Sequence, residues 1–282
     1  MSDAVELLAS YWTLATGAEP HTAQEASRVD FRERVEAAAR AGFKGIGIWH
    51  ADLARTLEKR SLAEMKSILD DNGIKYVELE FLGDWFMEGE RKRQSDIRKH
   101  QLLTAAQALG AIHIKVGDFM REPCPMPRMI DSFGALCEEA RGYNTRIGFE
   151  MMPFSLIDSI AASRELVTGA AAVNGGIVFD LWHIVKLGIP YEDVANFPTR
   201  YLTGVEINDG LLQSMPDLVV ETTQHRKLCG EGEFDVKGFV RQMRAAGYKG
   251  PWGIEVLSKD LRYLPTQEAA QRAFDTTAAQ FV

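Results

Sequence analysis

Eight short runs rich in β-branched and aromatic residues recur along this chain, and nearly every gap between them is long enough for a helix. They are Leu8–Leu14, Gly45–His50, Tyr76–Phe81, Ile112–Val116, Ile147–Met151, Gly176–Asp180, Leu202–Asn208 and Trp252–Val256. Segments with helical periodicity lie between them: Phe31–Ala41, Leu62–Asn72, Ile97–Leu109, Arg128–Tyr143, Ser159–Ala170, Val236–Ala246 and Thr266–Phe281. Gly42, Gly73, Gly110 and Gly247 stand where these stretches should stop. The phrase AAARAGFKGIGI near residue 40 returns as RAAGYKGPWGI near residue 245, so one structural unit is used repeatedly. Eight such alternations in 282 residues predict an α/β chain folded as a single (β/α)8 TIM barrel spanning 1–282. A doubly wound open sheet fits less well. No phosphate-binding glycine fingerprint follows the first run, and six strands leave two units over.

Four of the apolar runs end in an acid: Glu150 in IGFE, Asp180 in GIVFD, Glu206 in GVE and Glu255 in GIE. Period-two alternation puts Ile147 and Phe149 on one strand face and Gly148 and Glu150 on the other. The same phase separates Ile177 and Phe179 from Asp180, Val205 and Ile207 from Glu206, and Ile254 from Glu255. Bulky residues then face the helices, and glycine and carboxylate face the barrel axis. An ionised carboxylate leaves water only when paired or bound to a cation. Each acid alone could pair with a lysine or arginine or cap a helix. Four in phase at the active-site end of neighbouring strands imply a divalent metal site, and an all-oxygen set suits Mn²⁺ or Mg²⁺.

Other residues are expected around this centre. His183 follows Asp180 by three positions, where both side chains can address one pocket; the alternative is an ordinary histidine at a helix start. Lys115 faces the axis with His113 and either holds substrate or pairs with a neighbouring strand's acid. Glu80, Trp12 at the end of the first run, His50 and Arg226 are candidates for substrate contact, and His225 is a possible ligand or a plain loop residue. Glu78 and His113 lie deeper and read as a buried ion-pair residue and a hydrogen-bonded core histidine.

The net charge of −8 argues against a nucleic-acid partner. The run Glu90–Arg93 reads as a solvated loop or helix start. No apolar stretch reaches the roughly 20 residues needed to span a bilayer, and no secretory signal opens the chain. Three widely spaced cysteines fit a reducing cytoplasmic setting rather than a disulfide framework. The apolar stretch Phe81–Met87 suits a homo-oligomer or a complex with a partner subunit.

In GFE at Glu150, D-x-x-H at Asp180 and His183, and GEGEFDVKGFVRQMRAAGYKGPWGIEV at the carboxyl end, the chain resembles the xylose-isomerase-like TIM-barrel superfamily and its sugar phosphate isomerase/epimerase branch. The resemblance implies one divalent cation held by acid, acid, histidine and acid at the ends of strands five to eight. The matching positions are Glu150, Asp180, Glu206 and Glu255, with His183 contacting substrate. Glu206 departs from the pattern, standing where the family commonly has histidine, so either four carboxylates bind a hard metal or His225 or water fills that place. Mn²⁺ is the expected ion, with Mg²⁺ or Co²⁺ as alternatives. The implied activity is sugar isomerisation or epimerisation, with Glu150 and Glu255 exchanging a proton next to a carbonyl of a keto sugar. β-Elimination at the same site, from a 3-oxo-glycoside or as a dehydratase, is the alternative. A three-zinc endonuclease IV-type site is disfavoured by six scattered histidines, and a metal-free scaffold would need the acid set to be incomplete.

Overall fold

The computed structural model describes residues 5–119 and 121–282. Its strands are β1 (Leu7–Ala9), β2 (Gly45–Trp49), β3 (Tyr76–Leu82), β4 (His113–Val116), β5 (Arg146–Glu150), β6 (Gly175–Asp180), β7 (Leu202–Ile207) and β8 (Trp252–Ile254). They pair in sequence order, all parallel, and β8 returns to β1 to close an eight-stranded barrel. This is the (β/α)8 TIM barrel that the alternation predicts.

Outward side chains such as Ile147, Phe149, Ile177, Phe179, Val205, Ile207 and Ile254 join one buried cluster with the inner faces of the surrounding helices. Burying each removes about 1.5–3 kcal/mol worth of apolar surface from water. Inside, space is made by glycine. A Cβ on Gly253 would come 2.7 Å from Glu206 Cγ, and one on Gly47 would come 2.6 Å from Glu80 Oε1. Only a residue without a side chain lets these two acids point along the axis. Helix Phe31–Ala41 has the predicted bounds because Asp30 caps its first turn and Gly42 takes a left-handed conformation at its end.

Three elements differ from expectation. The first strand stops at Ala9, and Tyr11–Leu14, which includes Trp12, forms a helical turn. Ser10 Oγ donates to Glu206 and the Tyr11 N–H donates to Glu80, so the chain bends over the barrel mouth to satisfy two buried acids. The helix expected at Ile97 begins at Gly89 and takes in Glu90–Arg93 as its first exposed turn. Strand β8 ends at Ile254, so Glu255 projects from the loop beyond it. Short helices His50–Leu57, Leu181–Lys186 and Leu218–Gln224 follow β2, β6 and β7. Among the described residues no helix is long and apolar enough to cross a membrane.

Candidate active site

Lys115 projects from β4 to the barrel axis and is wholly buried. Its Nζ lies 2.8 Å from Glu255 Oε1, 2.9 and 3.2 Å from the two oxygens of Glu206, and 3.1 Å from Glu80 Oε2. Glu78 and Glu150 stand at 3.9 and 4.0 Å. An ammonium stripped of water at this depth persists only because carboxylates replace its hydration. Burial works against its charge, yet Glu206, Glu255, Glu80 and Glu150 hold its pKa well above the ordinary lysine value. The ion-pair reading of Lys115 is therefore realised.

Arg226 is the second fixed cation. Its Nη1 donates to Asp180 Oδ2 at 2.8 Å and to Glu255 Oε2 at 3.0 Å. Nε and Nη2 donate to Thr222 Oγ1, and the guanidinium lies 5.3 Å from the Trp182 ring centroid. Asp180 also accepts from Asn208 Nδ2 and from the Trp182 and His183 N–H groups, because it caps helix Leu181–Lys186. Burial opposes its ionisation, but Arg226, His183 and Asn208 together keep its pKa below the usual aspartate value. The cap explains the three-residue spacing to His183, whose Nε2 lies 3.2 Å from Glu150 Oε1.

The remaining carboxylates split in their acidity. Glu150 is lowered, since Lys115 and His183 outweigh its desolvation. Glu255 and Glu206 are raised by burial and by neighbouring carboxylates despite Lys115. Burial likewise pushes Glu80 up to about 8. Glu78, against Lys115 and 2.7 Å from His113 Nε2, falls to about 2 in spite of burial.

A pH signature follows from Glu80. Between its ordinary value of 4.5 and about 8, the folded chain holds a proton that the unfolded chain has lost. Stability therefore falls as pH rises through that window. Glu80→Gln keeps an acceptor for Tyr11 and removes this titration. Its urea-derived stability should decline less steeply between about pH 5 and pH 8, by up to about 1.4 kcal/mol per pH unit. An unchanged slope would place the proton elsewhere.

The mouth of the barrel opens into a cavity of about 230 Å³. Glu80, Glu150, His183, Arg226 and Glu255 line its polar floor, and Trp12, Trp49, Phe81, Phe119 and Phe154 line its walls. Of the sequence candidates, Trp12 reaches the cavity from its helical turn. Lys115, Asp180 and Glu206 are not among the lining residues. His50 packs against Trp49, accepts from the Phe81 N–H at 3.5 Å, and is lowered to about 3 by burial and Arg98. His225 closes helix Leu218–Gln224 in a bridge with Ser258, apart from the acid group. Ser10, Thr222, Phe119 and Phe154 were not foreseen, and only the aromatic character of the last two gave any signal.

Oxygens of Glu150, Asp180, Glu206 and Glu255 lie within 4.8 Å of one another, as do ligand atoms of Glu150, Asp180 and His183. Carboxylates outnumber the two fixed cations, and three of them are pushed toward protonation. A divalent cation would relieve that excess, so the donor set fits one.

Residues 35–279 match the family model described as xylose isomerase-like TIM barrel. A 3-dehydroshikimate dehydratase of Pseudomonas aeruginosa is 28% identical over 248 residues, covering 84% of this chain and 38% of that protein. The chain thus spans well under half the length of that relative. An inosose isomerase of Bacillus velezensis is 20% identical over 261 residues, covering 89% of this chain and 91% of that protein. The solved structure of an IolI protein with a bound zinc atom superimposes with a TM-score of 0.84 at 18% identity, over 98% of each chain.

Proposed function

This chain belongs to the xylose isomerase-like TIM barrel family, and from that premise we propose that it moves a proton at the carbon next to the carbonyl of a small sugar-derived ketone. The observation that carries this reading is the opposite displacement of two carboxylates on one cavity floor. Glu150 is lowered and Glu255 is raised, which is how environment divides a pair into base and acid. Glu150 takes the proton, and its Oε1 lies 3.2 Å from His183 Nε2, which orients it. Glu255, held by Lys115 and Arg226, returns a proton to the neighbouring atom. Glu150, Asp180, Glu206 and Glu255 would hold the divalent cation, and we take Mn²⁺ as the ion because the donors are oxygens. When bound, that ion supplies Lewis acidity toward the substrate's oxygens. The aromatic walls exclude water from the floor.

Return of the proton to the adjacent carbon gives isomerisation, and its return to the same carbon from the opposite face gives epimerisation. Similarity to a dehydratase favours a second reading, in which loss of a β-substituent completes the reaction as elimination. The test is a set of keto sugars and 3-oxo-glycosides incubated with the chain and Mn²⁺ in D₂O. Deuterium should enter beside the carbonyl, and release of water or an aglycone would assign elimination. Absence of exchange across the set, with metal bound, would overturn the proposal.

A further inference from the structure

The cavity's charge and wall composition restrict the ligand further. Among the lysines and arginines of the described residues, Arg226 alone lines it, and its guanidinium is taken up by Asp180, Glu255 and Thr222. Lys115 below is surrounded by Glu80, Glu206 and Glu255. No fixed cation is left to meet a phosphate or carboxylate on the ligand, and an anion would be desolvated without a partner. Five carboxylates, three of them on the cavity floor, surround these two fixed cations.

The walls are built of aromatic rings packed on one another. Trp12 and Trp49 have ring centroids 5.0 Å apart, Trp49 and Phe81 stack at 6.1 Å, and Phe81 and Phe119 lie at 4.5 Å. Phe154 adds a further ring, itself stacked on Trp182. Phe119 remains 38% exposed at the rim. A flat apolar group entering here would cover that edge and extend the stack.

We propose that the ligand is uncharged and amphipathic, a polyhydroxylated ketone that carries a flat apolar substituent such as an aryl group. Its polar end meets Glu150, His183 and Glu255, and its substituent lies along Trp12, Phe81 and Phe119. The polar half of this assignment rests on the proton-transfer reading, and the apolar half does not.

Calorimetric titration of the Mn²⁺-loaded chain with matched ligands tests it. The probes are phenyl and methyl 3-oxo-β-glucosides, fructose 6-phosphate and 3-dehydroshikimate. The phenyl compound should bind at least about tenfold tighter than the methyl compound, through the added ring contact and the area it buries. Phe119→Ala, at an exposed position that leaves the core intact, should cut that ratio severalfold, and Trp12→Ala should cut it further. Equal binding of phenyl and methyl compounds, or tighter binding of either anion, overturns the inference. Binding is read without turnover. A phenyl preference without deuterium exchange therefore refutes only the proposed chemistry, and exchange without the preference refutes only the ligand class.

Discussion

Glu150→Gln and Glu255→Gln should each lower kcat by about 10²–10⁴-fold, the range for removing a positioned proton-transfer group. Gln fills the same volume and keeps one acceptor, so the barrel should remain folded. It cannot hold or release the proton. Because the two carboxylates are displaced in opposite directions, the variants should differ in their pH profiles. Glu150→Gln should erase the acid limb of kcat/KM, where an ionised base is required, and Glu255→Gln the basic limb, where a protonated acid is required. Equal losses in kcat and kcat/KM would mark interactions made in the transition state. Metal content measured alongside separates proton transfer from ion binding. Full activity and full metal in both proteins would sink the site assignment.

Lys115→Met carries the largest expected effect on stability. Breaking a buried ion pair from one side costs about 3–5 kcal/mol, and here one ammonium serves Glu80, Glu206 and Glu255 at hydrogen-bond distance. For a chain of this size the melting temperature should fall by roughly 10 °C. Without Lys115 the acids become harder to ionise in the fold, so the folded chain holds more protons than the unfolded one. The deficit should therefore grow as pH rises and shrink toward pH 5. A divalent cation should raise the variant's melting temperature more than that of the parent. Thermal unfolding across pH, with and without Mn²⁺, checks both statements. A variant as stable as the parent at every pH would show that Lys115 does not hold these acids ionised in the fold.

The barrel was legible in the sequence because its signals are local. Alternation in IGFE, GIVFD and GVEI marked which side of each strand meets the helices, and the outward set is the buried cluster observed. Helix Phe31–Ala41 was bounded by its own cap residues. The first run departs for a distant cause. YWTL looks like strand, but Ser10 and Tyr11 answer to Glu206 and Glu80, 196 and 69 residues away. The four acids were found in phase. What they meet inside the barrel, a lysine from β4 and an arginine after β7, depends on closure that no window of sequence contains.

The hub at Lys115 also bears on how this barrel can be divided. A fragment ending after β4 would keep the ammonium with only Glu78 and Glu80. The complementary fragment would hold Glu150, Asp180, Glu206 and Glu255 with Arg226 as the one interior cation of the cluster. Only rejoining the halves returns Lys115 to Glu206 and Glu255. Recombination of separately expressed halves should accordingly restore specific ion pairs as well as bury apolar surface, and the carboxyl-terminal half alone should gain order on acidification.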